Sequence, residues 1–291
     1  MSSGFQLVGL FGVLPTAFDD EGALDLDSVA SLVQAQIDAG AAGSTVLGVM
    51  GEAAELSEAE RDQVLACVLA TSGTSPVIVG ISGPSAEIVS TRAKDAAAKG
   101  VTAVMVSPST TLGLADAIAA AAEGGLPIVV QDYPQGSGVR VTAEEIAAVV
   151  AAQPLIVGVK AEAPPTSDAI ARFKRDAPSL GVMGGLGGLF LIDELRAGAT
   201  GVMTGFAMPD RLARIIAAFP EDPAEAQTIW EGGLPVMRFE AFQPFSLAAR
   251  KEVWRLQGVI RSSFCRRIGA SLDGVSRADI RRAYEQVAGS A

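Results

Sequence analysis

Eight short apolar runs, each followed by a longer stretch with helical spacing, leave a chain of 291 residues very few folds to adopt. The runs lie at 8–14, 45–49, 77–81, 101–106, 127–130, 155–159, 181–183 and 201–203. Between them come Ala-, Glu- and Arg-rich segments, such as Ala30-Val33-Ile37 and Ile88-Arg92-Ala96. Ser57-x-x-Glu60 and Thr142-x-x-Glu145 have capping-box form and signal helix starts. Ala39-Gly40, Lys99-Gly100 and Ala197-Gly198 signal helix stops. Strand-then-helix units of about 25 to 30 residues, eight times over, are what a (β/α)8 barrel needs. An open doubly wound sheet would usually carry a glycine-rich dinucleotide loop after its first strand. Here Pro15-Thr16-Ala17-Phe18-Asp19-Asp20 follows instead. The expected fold is therefore α/β, a (β/α)8 TIM barrel with a C-terminal helical extension.

From Asp222 the alternation stops, and residues 223–239, 244–260 and 277–288 read as helices. The expected organisation is a barrel over 1–221 and a helical extension over 222–291, packed on the barrel. Trp230, Trp254, Phe239, Phe242 and Phe245 fall in that extension. They would pack it onto the barrel or line a subunit contact.

Composition narrows the chemistry. Hydrophobic residues make up 49% of the chain, ample for a large core. Glycines, prolines and charges break every apolar stretch before it reaches bilayer length. Met1-Ser2-Ser3-Gly4 lacks the basic start of a secretory signal, so a cytoplasmic location is expected. A net charge of −11 argues against nucleic acid and anionic membranes as partners. Cys67 and Cys265 are too far apart to suggest zinc or a disulfide framework. The chain has no histidine, which excludes Ser-His-Asp triads, Cys-His pairs and histidine-ligated metals. Acid–base work falls to carboxylates, lysine, tyrosine, hydroxyls or water, with no metal and no cofactor expected.

Of the five lysines, Lys94, Lys99, Lys174 and Lys251 sit in mixed polar, helix-like surroundings where they can be solvated. Lys160 alone follows five uncharged residues, at the end of the sixth apolar run. Burying an ammonium is costly unless it is paired or neutralised. Desolvation favours the neutral amine, the nucleophile that Schiff-base catalysis on a ketone requires. Barrel active sites lie at the C-terminal ends of the strands, which is where Lys160 would project. Side chains alternate along a strand, so Glu162 would share its side, about 6 to 7 Å further along the backbone.

Other strand ends would face the same mouth. Gly48-Val49-Met50-Gly51-Glu52 follows the second strand, and its backbone N–H groups could cradle a carboxylate or simply form a tight turn. Gln131-Asp132-Tyr133-Pro134 follows the fifth. Gly184-Gly185-Leu186-Gly187-Gly188 follows the seventh, where many barrels bind phosphate, although no basic residue accompanies it before Arg196.

Taken together these pieces resemble the dihydrodipicolinate synthase and N-acetylneuraminate lyase family of Schiff-base barrels. Gly12-Val13-Leu14-Pro15-Thr16-Ala17-Phe18 is similar to the family's opening strand, and Gly48-Val49-Met50-Gly51-Glu52 to its Gly-Thr-Thr-Gly-Glu. Pro127-Ile128-Val129-Val130-Gln131-Asp132-Tyr133-Pro134 stands where the family has Pro-Ile-x-x-Tyr-Asn-x-Pro. Val157-Gly158-Val159-Lys160 resembles its lysine strand, and Gly198-Ala199-Thr200-Gly201-Val202-Met203-Thr204-Gly205 its eighth strand. The resemblance implies a 2-oxo acid substrate, catalysis by Lys160, and substrate contacts from Gly48, Val49, Met50, Gly51, Gln131, Tyr133, Gly185 and Met203. It also implies a homodimer or homotetramer.

Departures point to a branch. Gln131 stands where most members have a proton-relaying tyrosine, and Val49 and Met50 replace two threonines. Gly136 stands where the synthases carry a carboxylate-binding arginine, with Arg140 four residues later. A Gln-Asp-x-Pro segment with a Lys-x-Glu strand end resembles the 2-keto-3-deoxy-L-arabonate dehydratases. That branch implies that Glu162 takes over proton transfer. The expected function is dehydration, or aldol cleavage, of a 2-keto-3-deoxy sugar acid. A synthase-like condensation of pyruvate and a non-catalytic keto-acid-binding relative are the alternatives.

Overall fold

The computed structural model describes residues 4–241 and 245–289. Eight parallel strands close into a barrel in sequence order: β1 (Gly9–Val13), β2 (Gly43–Val46), β3 (Val77–Gly80), β4 (Ala103–Val106), β5 (Ile128–Asp132), β6 (Ile156–Ala161), β7 (Gly181–Gly184) and β8 (Gly201–Thr204). Helices separate the strands, so the expected TIM barrel is the fold. Seven strands overlap the apolar runs closely. The second begins earlier than its run and ends at Val46, because Leu47 turns the chain with a positive φ of 56°.

The local signals act as their chemistry predicts. Both capping boxes form, at Ser57 with Glu60 and at Thr142 with Glu145, each side chain satisfying the other residue's backbone N–H. Gly40, Gly100 and Gly198 follow helix ends with φ of 78°, 79° and 97°, where a β-carbon would be strained. Ser57→Ala removes one cap and is expected to cost about 1 kcal/mol, read from the urea midpoint of unfolding.

The chain forms two compact units. One contains Pro76–Gly185, Phe190–Met203 and the segment before Leu10. In it β3 to β8 form a parallel ladder with one register shift, between Ile128 and Val129 where β5 meets β6, and beyond that shift Gln131 stands beside Lys160. Leu7 packs where Gly158 and Gly181 leave room for it, and Gly201 lies so close to Gly9 that any side chain there would collide with backbone.

The other unit contains Leu10–Ser75, Leu186–Leu189 and the chain from Thr204 onward. Its C-terminal helices span Pro223–Met237, Phe245–Leu256 and Gly274–Ala288, with the first and second each packed on the third. Trp254 is buried, and Trp230 donates its indole N–H to the Gly188 carbonyl at 3.0 Å. The Phe239 and Phe245 rings stand 6.3 Å apart within the chain, while Phe242 lies outside the described residues.

Lys251 corrects an expectation in this unit. Far from being solvated, it is fully buried. Its ammonium donates to Glu52 Oε1 at 2.5 Å and to the Phe264 carbonyl at 2.8 Å, and lies 4.5 Å from the centre of the Phe18 ring. The helix Phe245–Leu256 is buried at nine consecutive positions from Ser246 to Trp254, so no face of that stretch was left for a solvated lysine. No helix among the described residues is long and apolar enough to cross a membrane.

Candidate active site

The site is built on the ends of β5, β6 and β7. Hydrophobic β6 carries Lys160 as its penultimate residue, and the next residue on the same side of the chain is Glu162. The strand pairing continues past β6, because the Glu162 N–H donates to the Asp132 carbonyl at 2.9 Å. That bond holds Glu162 in extended geometry and brings its carboxylate onto the lysine: Lys160 Nζ lies 2.9 Å from Glu162 Oε2. Both side chains are almost wholly buried, at 6% and 7% exposure, so the contact is not screened as a surface pair would be.

Gln131, beside Lys160 in the ladder, donates its amide N–H to the same Glu162 oxygen at 2.8 Å. One carboxylate oxygen therefore holds both the amine and the amide. Gly185 is why it can: a β-carbon there would occupy the space of the Glu162 carboxylate. Asp132 ends β5 nearby, and its Oδ1 has no hydrogen-bond partner among the described residues. Burial pushes Asp132 up to about 6, with the Glu162 charge adding to the rise and Arg140 opposing it.

The other residues singled out from the sequence take up varied positions. Tyr133 is buried, its ring lying under the turn at Gly136. Met203 is a fully buried residue of β8. Gly48, Val49, Met50 and Gly51 belong to the second unit and form a tight turn there. The Gly51 N–H donates to the Gly48 carbonyl at 3.0 Å, so the turn itself uses one of the amides expected to cradle a carboxylate. Thr16 Oγ1 and an Arg267 guanidinium hold the turn by its carbonyls at Gly51 and Val49, at 2.6 Å each.

Two findings were not anticipated. The glycines at the end of β7 leave room for carboxyl groups, Glu162 at Gly185 and Glu194 at Gly184, and the Glu162 carboxylate opposes a phosphate there. Glu194 itself gave no signal, because an acidic residue in the first turn of a helix usually faces solvent and complements the dipole.

Chemically, a buried amine beside a carboxylate and an amide can attack a carbonyl and move protons at the adjacent carbon. Residues 6–286 match the model of the dihydrodipicolinate synthetase family. The chain is 32% identical over 294 residues to the L-2-keto-3-deoxyarabonate dehydratase of Azospirillum brasilense, covering 94% of this chain and 92% of that one. It is 34% identical over 251 residues to a 4-hydroxy-tetrahydrodipicolinate synthase of Stenotrophomonas maltophilia, covering 82% and 83%. The crystal structure of dihydrodipicolinate synthase from Rhodopseudomonas palustris superposes with a TM-score of 0.90 at 31% identity, over 96% of this chain and 97% of that one.

Proposed function

The chain belongs to the dihydrodipicolinate synthetase family of lyases, and from that premise we propose that it dehydrates a 2-keto-3-deoxy sugar acid through an imine on Lys160. The observation that carries the proposal is the buried contact of Lys160 Nζ with Glu162 Oε2 at 2.9 Å. The extensive similarity to an L-2-keto-3-deoxyarabonate dehydratase supports the same choice of branch.

The reaction divides into four steps. Lys160 Nζ attacks the C2 carbonyl, and the carbinolamine loses water to give an iminium, which acidifies the protons on C3. Glu162 takes one of these, leaving an enamine. The enamine expels the C4 hydroxyl, which leaves as water with the proton that Glu162 returns. Addition of water at C2 then releases the 2-oxo product and the free amine. One carboxylate thus serves as base and then acid, which balances its charge over the cycle. Gln131 holds the carboxylate oxygen that faces the amine, in place of the tyrosine that a proton relay would need.

The test is turnover of a panel of 2-keto-3-deoxy sugar acids and of pyruvate with aspartate semialdehyde, with products identified by mass spectrometry. The expected result is a product lighter by one water. Release of pyruvate and an aldehyde would replace dehydration by aldol cleavage. Turnover near ~10 s⁻¹, ordinary for an enzyme, with pyruvate and aspartate semialdehyde would instead make it a synthase. Imine formation without turnover of any substrate would make it a keto-acid-binding relative.

A further inference from the structure

Glu194 is a buried carboxyl that the proposed reaction leaves unused. It lies in the helix Leu191–Arg196 and is fully buried; the Thr166 hydroxyl faces its carboxyl, but no described group makes a hydrogen bond of ordinary geometry with either carboxyl oxygen. Its carboxyl fills the space that a side chain on Gly184 would need, as the Glu162 carboxylate does at Gly185. Two acids therefore lie against consecutive glycines at the end of β7. An unpaired carboxylate in such a place is costly, whereas the protonated acid is not.

We propose that Glu194 is a positioning residue for the Lys160–Glu162 pair, acting on Glu162 across the Gly184–Gly185 backbone. The assignment rests on the reading that Lys160 forms the imine. Burial pushes Glu194 up to about 8; the Thr166 hydroxyl opposes the rise, while the charges of Glu162 and Asp193 add to it. These groups face it from the helix Thr166–Asp176, from the end of β6 and from its own helix, and β7 meets it with Gly184, which has no side chain. At neutral pH Glu194 is an uncharged acid, and Glu162 keeps its contacts with Lys160 and Gln131 with no rival charge behind it. Above about pH 8 Glu194 ionises. The added negative charge favours the ammonium of Lys160 over the free amine, so imine formation gains less from rising pH than it otherwise would.

Glu194→Gln keeps the shape of the neutral acid and cannot ionise. Borohydride trapping of the pyruvate imine, followed over roughly pH 6 to 10 in parent and variant, reads the effect through the amine. The expected result is equal trapping rates at neutral pH and, at alkaline pH, a variant faster by about threefold, its profile shifted down by about half a pH unit. Superposed profiles would reduce Glu194 to a packing residue and overturn the assignment. Absence of any imine in the parent, at any pH, would overturn the lysine reading itself and this assignment with it. Where the variant does not fold, infrared difference spectra of the parent decide. A protonated carboxyl band present at neutral pH and lost in alkali supports the inference, and its absence at neutral pH overturns it.

Discussion

Lys160→Ala is expected to abolish turnover and borohydride trapping of a 2-oxo acid, a loss of ~10⁴-fold or more, because a covalent path has no substitute once its nucleophile is removed. The fold should survive, since Gln131 still donates to the Glu162 carboxylate that the lysine leaves; circular dichroism checks this. Lys160→Arg supplies the control, keeping a positive charge beside Glu162 but presenting no amine that can form the imine. Peptide mapping of the trapped parent should place the label on Lys160. Lys251 is the competitor to watch, because it is the other fully buried lysine. Its ammonium is already bound by Glu52 and the Phe264 carbonyl, which argues for a structural role. A label on Lys251, or on Lys94, Lys99 or Lys174, would sink the assignment.

Glu162→Gln is expected to lower turnover by roughly 10²–10⁴-fold, the usual worth of a general acid–base group. The new amide keeps the shape and can still accept from Gln131, so imine formation at Lys160 should persist. Exchange of the C3 protons of bound pyruvate with deuterated water should fall in step with turnover. The competing view is that Glu162 only pairs with the lysine. In that case the substitution would move the pH at which the imine forms, and exchange above that pH would stay near the parent rate. Proton transfer would then pass to Asp132, which burial already pushes up to about 6, or to Tyr133 or a bound water, and dehydration would lose its main support.

Much of the architecture was legible because it rests on local rules. Helix starts and stops depend on side chains within four residues of the cap, so Ser57 with Glu60, Thr142 with Glu145, and glycines at 40, 100 and 198 could be read directly. The Lys160–Glu162 pair was legible for the same reason. Strand alternation places residues two apart on one side, and the extended backbone continues through Glu162 by its bond to the Asp132 carbonyl.

Burial and pairing over distance were not local. Lys251 reads as an ordinary helical lysine, yet its carboxylate partner is 199 residues away in sequence, and helical periodicity cannot reveal such a partner. Glu194 reads as a helix-start acid facing water, yet it is fully buried, its carboxyl packed against Gly184. Gln131 could be assigned to a strand end, but its bond to Glu162 follows from the register of β5 with β6. The sequence alone therefore determined the barrel, its helix boundaries and the lysine with its neighbouring acid, since each follows from backbone geometry repeated over a few residues. Tertiary structure decided which further charges lose their water and which groups face them. Desolvation is set by whatever packs around a side chain, and for Lys251, Glu194 and Gln131 that came from other strands and helices.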